Sequence, residues 1–142
     1  MESEDYKKQG KKNKQSGARF ELKVRKDLED KGLVVSKWMN NVDLENNKLI
    51  SAKHKFRGLG VPMAIGTGFP DFIVFTKTTE LTSIISGIEV KSNGYLDKIE
   101  KERCKWLLDN HIFSNITIAC KGEKKGEIKY KPFIPLIPKC VR

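Results

Sequence analysis

Phe20, Val24 and Leu28 recur every four positions among charged residues, a spacing that predicts an amphipathic helix over roughly residues 17–31, with Glu21 and Arg25 as an i,i+4 pair and Gly32 as its stop. The run Leu33-Val34-Val35-Ser36-Lys37-Trp38, rich in β-branched residues and bounded by Gly32 and Asn40-Asn41, predicts a strand. Residues 39–69 mix polar turns, a short Leu49-Ile50 run and a basic stretch, and read as a loop-rich insertion with room for a hairpin. Asp71 to Lys77 and Ile84 to Ser92 predict two strands paired antiparallel through a turn at Lys77-Thr78-Thr79-Glu80. Asp97 suits the cap of a second helix from about Lys98 to Asn110, with Ile99, Cys104, Trp106 and Leu107 on its apolar side. Strands follow over Ile112–Cys120 and Glu127–Tyr130, and the prolines at 132, 135 and 138 argue against regular structure beyond them. The expected fold is α/β, a central mixed sheet of four or five strands flanked by helices in the order α-β-β-β-α-β.

Composition adds a partner and an organisation. At 142 residues the chain fits one domain. Residues 1–15 carry Lys7, Lys8, Lys11, Lys12 and Lys14 with almost nothing apolar, so they are expected to form a flexible basic tail ahead of a domain at 16–131. Residues 132–142 form a Pro-rich tail expected to pack on the core or on a partner. Twenty-eight basic against 18 acidic residues leave a net charge of +10, which favours polyanions and makes nucleic acid the leading partner class. No apolar run approaches a membrane span or a signal core, so the expectation is no membrane partner and an intracellular setting, cytoplasmic or nucleoid-associated. Cys104, Cys120 and Cys140 lack paired spacing, which argues for reduced thiols rather than a disulfide framework or zinc site.

The candidate chemistry lies where Gly68-Phe69-Pro70-Asp71 opens one apolar strand and Glu89-Val90-Lys91 closes the next. An acidic residue two before a lysine recurs along this chain, for example at Glu21-Leu22-Lys23, Glu123-Lys124-Lys125 and Glu127-Ile128-Lys129. Only Glu89-Val90-Lys91 ends a strand that follows a Pro-Asp strand. The two-residue period then places Glu89 and Lys91 on one face and Ile88 and Val90 on the other. Pairing of the strands lets Asp71 and Glu89 converge on one divalent ion, with the Val90 backbone carbonyl as a third oxygen and Glu21 completing the set directly or through water. Few carboxylates with open positions suit Mg²⁺ or Mn²⁺ and metal-assisted phosphodiester hydrolysis, with Lys91 orienting the nucleophile. The competing reading is a capped turn at Asp71 and an exposed cross-strand pair of Glu89 with Lys91.

The order of a Glu21-bearing helix, Gly-x-Pro-Asp at 68–71, Glu89-Val-Lys91 and a basic helix resembles the PD-(D/E)xK nuclease superfamily over roughly residues 17–120. Gly66-Thr67-Gly68-Phe69-Pro70-Asp71 is similar to archaeal Holliday-junction resolvases, while Trp38-Met39-Asn40-Asn41 and the long insertion look more like virus-type replication-repair nuclease domains. The resemblance implies a restriction-endonuclease-like core and a Mg²⁺-dependent, structure-selective DNA endonuclease, with Glu21, Asp71, Glu89 and Lys91 as its catalytic set. The resolvase likeness also implies a homodimer. Replication-repair relatives place a glutamine on the helix after the Glu-x-Lys strand; here Lys101, Arg103 or Lys105 would take over its phosphate contact.

Further DNA contacts are expected from Arg19 at the start of the first helix, from Lys53, Lys55 and Arg57 around Phe56, and from the Gly-rich loop at Thr67. The paired glycines lack a third glycine or a Gly-Lys-Ser/Thr, which argues against a nucleotide loop. The rival from another class is a non-catalytic DNA-binding protein that keeps the nuclease fold for its basic face.

Overall fold

The computed structural model describes residues 2–52 and 68–135. Its elements are α1 (Glu2–Asp30), β1 (Val34–Lys37), β2 (Asn40–Asp43), β3 (Lys48–Ser51), β4 (Phe72–Lys77), β5 (Ser83–Val90), α2 (Lys98–Asp109), β6 (Asn115–Lys121) and β7 (Ile128–Pro132). Five strands form a mixed sheet in the order β1-β4-β5-β6-β7, and β2 and β3 pair separately as a hairpin within the insertion. β5 and β6 are parallel, with α2 in the connection between them, and the other neighbours are antiparallel. This is a mixed α/β architecture, as the periodicities predict.

The four-residue apolar repeat on α1 seats Phe20, Val24 and Leu28 on one face of the sheet, against Val35, Phe72, Val74, Ile88 and Ala119. The other face carries Cys104 and Leu107 of α2, Val42 of the hairpin, Phe69, Phe113 and Ile116. Alternation along β4 and β5 divides the side chains between the two cores. Phe72, Val74 and Ile88 face α1, and Ile73 and Ile85 face the α2 side.

α1 ends as the glycine predicts. Gly32 has φ 83°, and the Leu33 amide closes back onto the Leu28 carbonyl at 3.2 Å. Its beginning differs from expectation, because residues 2–16 continue the helix rather than preceding it, giving 29 residues. Lys, Gln and Glu are good helix formers, so the lack of apolar residues deprives this half of a packing face without opposing helical backbone. Residues 4–16 are accordingly exposed. Leu28 lies by the start of β1 and Glu21 by Lys37 at its end, so α1 runs antiparallel to β1. The exposed basic half therefore extends past the sheet end where β5 and β6 finish.

α2 starts with a capping box. Asp97 accepts from the Glu100 amide at 2.8 Å, and Glu100 accepts from the Asp97 amide at 2.9 Å. Of its expected apolar side, Cys104 and Leu107 are buried, Trp106 is half-buried and Ile99 is exposed. Asp97→Ala is expected to cost about 1 kcal/mol of stability, read as a shift in the urea midpoint at constant slope.

β7 includes Pro132, which the proline pattern had placed outside regular structure. It fits because β7 is an edge strand. The next amide, Phe133, donates inward to the Ile116 carbonyl at 2.8 Å, so the proline nitrogen faces the open edge, where no donor is needed. Phe133 then packs on the α2-side core. Cys104 and Cys120 are buried free thiols, and Cys140 lies outside the described residues. No helix among the described residues is long and apolar enough to cross a membrane.

Candidate active site

The approach to Asp71 is fixed by close backbone packing. The Phe69 amide donates to the Asn40 carbonyl at 2.8 Å, and the Trp38 amide donates to the Asp71 carbonyl at 3.1 Å. A Cβ at Gly68 would fall 1.8 Å from the Trp38 carbonyl oxygen, so only glycine lets these segments run this close. Pro70 is buried over Gly87 of β5, where a Cβ would sit 2.8 Å from its Cγ. Gly68 thus sets the chain against the β1–β2 connection, and Gly87 makes room for Pro70.

Phe72 pairs with Ile88, and one further step in the same register sets Asp71 opposite Glu89. The two acids are knitted reciprocally. Glu89 Oε2 accepts from the Asp71 amide at 3.2 Å, and Asp71 Oδ2 accepts from the Val90 amide at 2.8 Å. A strand residue sends its N–H and C=O to the same side, so the Val90 carbonyl is directed toward Asp71 as well. Val90 also packs toward the α1-side core, which leaves Glu89 and Lys91 on the α2 face.

The electrostatics of the pair are unfavourable for two free carboxylates. Burial pushes the Asp71 carboxyl up from 3.8 to about 6, partly offset by the Val90 hydrogen bond and reinforced by the charge of Glu21. Glu89 is 6% exposed, and burial together with the charge of Asp71 holds its pKa well above the ordinary glutamate value. Nearby cations relieve this only in part: Lys37 acts on Asp71 and Lys91 on Glu89.

Lys91 reaches across to α2 and forms an ion pair with Glu100, a mostly buried contact. Burial works against its ammonium, but the hydrogen bond to Glu100 and the charges of Glu100, Glu89 and Asp97 outweigh it and raise its pKa. Glu100 therefore has two jobs, starting α2 and holding Lys91 beside Glu89. The Asp97-x-x-Glu100 spacing, readable as a capping box, was the signal that locates it. Lys37 is the other group that sequence reasoning passed over; its ammonium lies 3.4 Å from Glu21 Oε2 and above the Phe72 ring.

The remaining expected residues separate. Glu21 is close enough for its charge to act on Asp71, but its carboxylate is engaged by Lys37. Arg19 is exposed on α1. Lys101 is exposed on the outer side of α2, whereas the Arg103 guanidinium turns inward over the Phe69 ring at 5.9 Å. Lys105 pairs with Asp109 at 2.6 Å. Lys53, Lys55, Arg57 and Thr67 lie outside the described residues.

Among the described residues, no group of three or more His, Cys, Asp or Glu side chains is gathered so that it could hold a metal ion. The donors that do converge are two carboxylates and one backbone carbonyl. That set fits a hard cation that stays partly hydrated and takes its other positions from water and substrate, and does not fit zinc or another soft metal. No known protein family, curated protein or solved structure matches the chain at a significant level.

Proposed function

We propose that this protein is a Mg²⁺-dependent DNA endonuclease with a restriction-endonuclease-like core, hydrolysing phosphodiester bonds at the sheet end where Asp71 and Glu89 meet. The observation that carries the reading is the buried, register-opposed carboxylate pair with raised pKa values, a costly arrangement that a divalent cation would relieve. Asp71, Glu89 and the Val90 carbonyl are the residues that would hold the ion, with Glu21 acting through water from the α1 side. When bound, the cation supplies charge neutralisation at the scissile phosphate and a more acidic water.

The chain's own groups do the rest. Lys91 has three N–H donors, and its bond to Glu100 leaves two for the attacking water and a phosphate oxygen. Fixed in this way, it orients the nucleophile and stabilises negative charge that grows as the phosphorus becomes five-coordinate. Lys7, Lys8, Lys11, Lys12 and Lys14, on the exposed half of α1 that passes the same sheet end, supply sequence-independent attraction for the DNA backbone.

The ion pair that locks Lys91 to Glu100 favours a second reading, a DNA-binding protein that keeps this architecture without cutting. The two differ in their need for a metal. Incubating the protein with single-stranded, duplex, flapped and four-way DNA, with and without Mg²⁺, is expected to give strand scission of at least one of these DNAs only in Mg²⁺. Binding that weakens with salt and never yields product in Mg²⁺ or Mn²⁺ would establish the second reading.

A further inference from the structure

A groove of about 560 Å³ opens immediately beyond the candidate site. It starts at the loop after Lys91, where the Gly94 amide bonds the Lys91 carbonyl at 2.9 Å, and runs along the outer side of α2 over β6 and the chain after β7. Its floor is apolar, built from Leu96, Ile118 and Phe133. Its rim is cationic: Lys98, Lys101 and Lys105 fall on one side of α2, and Lys131 faces them from β7. The acids beside them are Glu102 and, through its pairing with Lys105, Asp109, so the rim keeps a positive excess. At the mouth Tyr95 is 75% exposed, with the Lys131 ammonium 5.6 Å from its ring centroid, and Ile134 is 76% exposed.

We infer that this groove takes an unpaired DNA strand leading to or from the cleavage site, with Tyr95 as a platform on which a base stacks; the inference rests on the nuclease reading and extends it to the class of substrate. The charge and the floor together select the occupant. A cationic rim attracts any polyanion, but an apolar floor and an outward aromatic ring gain nothing from a duplex, whose bases are already stacked inside. An unpaired strand offers both, phosphates for the lysines and flat apolar bases for Tyr95, Phe133 and Ile134. Because the groove begins at the residue chain that carries Lys91, such a strand would be held next to the scissile position.

Binding is measured by fluorescence anisotropy in EDTA, which separates this inference from the chemistry. The probes are a labelled oligothymidine, an abasic oligomer of the same length and a duplex. The wild type is expected to bind oligothymidine about tenfold or more tightly than the abasic oligomer. Tyr95→Ala is expected to remove most of that difference, Tyr95→Phe to keep it, and neither to change duplex binding by more than about twofold. Tyr95 is exposed, so the substitutions leave the core intact, and a circular dichroism melt checks this. Equal affinity of the wild type for thymidine and abasic oligomers, or an unchanged preference in Tyr95→Ala, would overturn the inference even if the protein cuts DNA. Conversely, loss of all cleavage activity would leave this binding result standing.

Discussion

Asp71→Asn and Glu89→Gln are expected to lower DNA hydrolysis by about a thousandfold or more and, in metal-free buffer at neutral pH, to make the protein more stable. Both effects come from the same pair of charges. In the wild type each carboxyl has a folded pKa above its ordinary value, so folding favours the protonated form and binds protons. Stability from this source is fully present below the ordinary carboxyl value and is lost as pH rises through the folded pKa. For Asp71 that window runs from 3.8 to about 6. The ionisation cost at neutral pH is at most about 3 kcal/mol for Asp71, from a shift of roughly two units. Asn and Gln retain an oxygen for the amides of Val90 and Asp71 respectively, so the hydrogen bonds survive while the charge does not. Urea unfolding is the check. The variants should unfold at higher urea than the wild type at pH 7, and the difference should shrink toward pH 4. Adding Mg²⁺ should raise the wild-type midpoint and leave the variants unmoved, because the ion binds the folded pair.

The second large effect is expected at Gly68, a residue with no charge of its own three positions before Asp71. An alanine methyl there would have to share space with the Trp38 carbonyl oxygen at 1.8 Å, and both are fixed to backbone segments held by the Trp38–Asp71 and Phe69–Asn40 hydrogen bonds. A flexible side chain could move aside, whereas these segments cannot without parting. Gly68→Ala is therefore expected to cost about 3 kcal/mol, at the upper end for overpacking, and to displace Asp71 from Glu89. The control is Gly10→Ala, where no atom lies within 4 Å of the added methyl and a helical alanine should be neutral or stabilising. Thermal melts of the two variants should diverge in sign.

The parts of the fold with a strong local period were readable in advance. Phe20, Val24 and Leu28 gave α1 its packing face, Gly32 its end, and the Pro-Asp and Glu-x-Lys runs the antiparallel pairing that brings Asp71 opposite Glu89. The β2–β3 hairpin, anticipated only as a possibility of the insertion, is stitched by pairing of Asn41 with Ile50 and Val42 with Leu49. What the local pattern did not carry was partnership between distant segments. Periodicity gave no sign that Glu21 would be taken by Lys37 or that Arg103 would turn in toward Phe69, because both depend on how α1 and α2 seat on opposite faces. The helical start at Glu2 was hidden for a different reason. Burial patterning detects helices that pack, and residues 4–16 of α1 are exposed among the described residues.

Glu100 marks the boundary between these two kinds of information. Its capping role follows from the local Asp97-x-x-Glu100 spacing, which the reading of Asp97 alone did not use, while its hold on Lys91 required the parallel crossover that carries α2 from the end of β5 to β6. The placement ties the start of a helix to a cation whose charge acts on Glu89, so a structural cap and a candidate catalytic lysine share a single carboxylate.

The most direct test of the central claim is nicking of supercoiled plasmid by the wild type and by Glu89→Gln, each in Mg²⁺ and in EDTA. Nicked product is expected only from the wild type in Mg²⁺, with DNA binding retained by Glu89→Gln. Equal nicking by the wild type and Glu89→Gln, or nicking by the wild type that persists in EDTA, would contradict it.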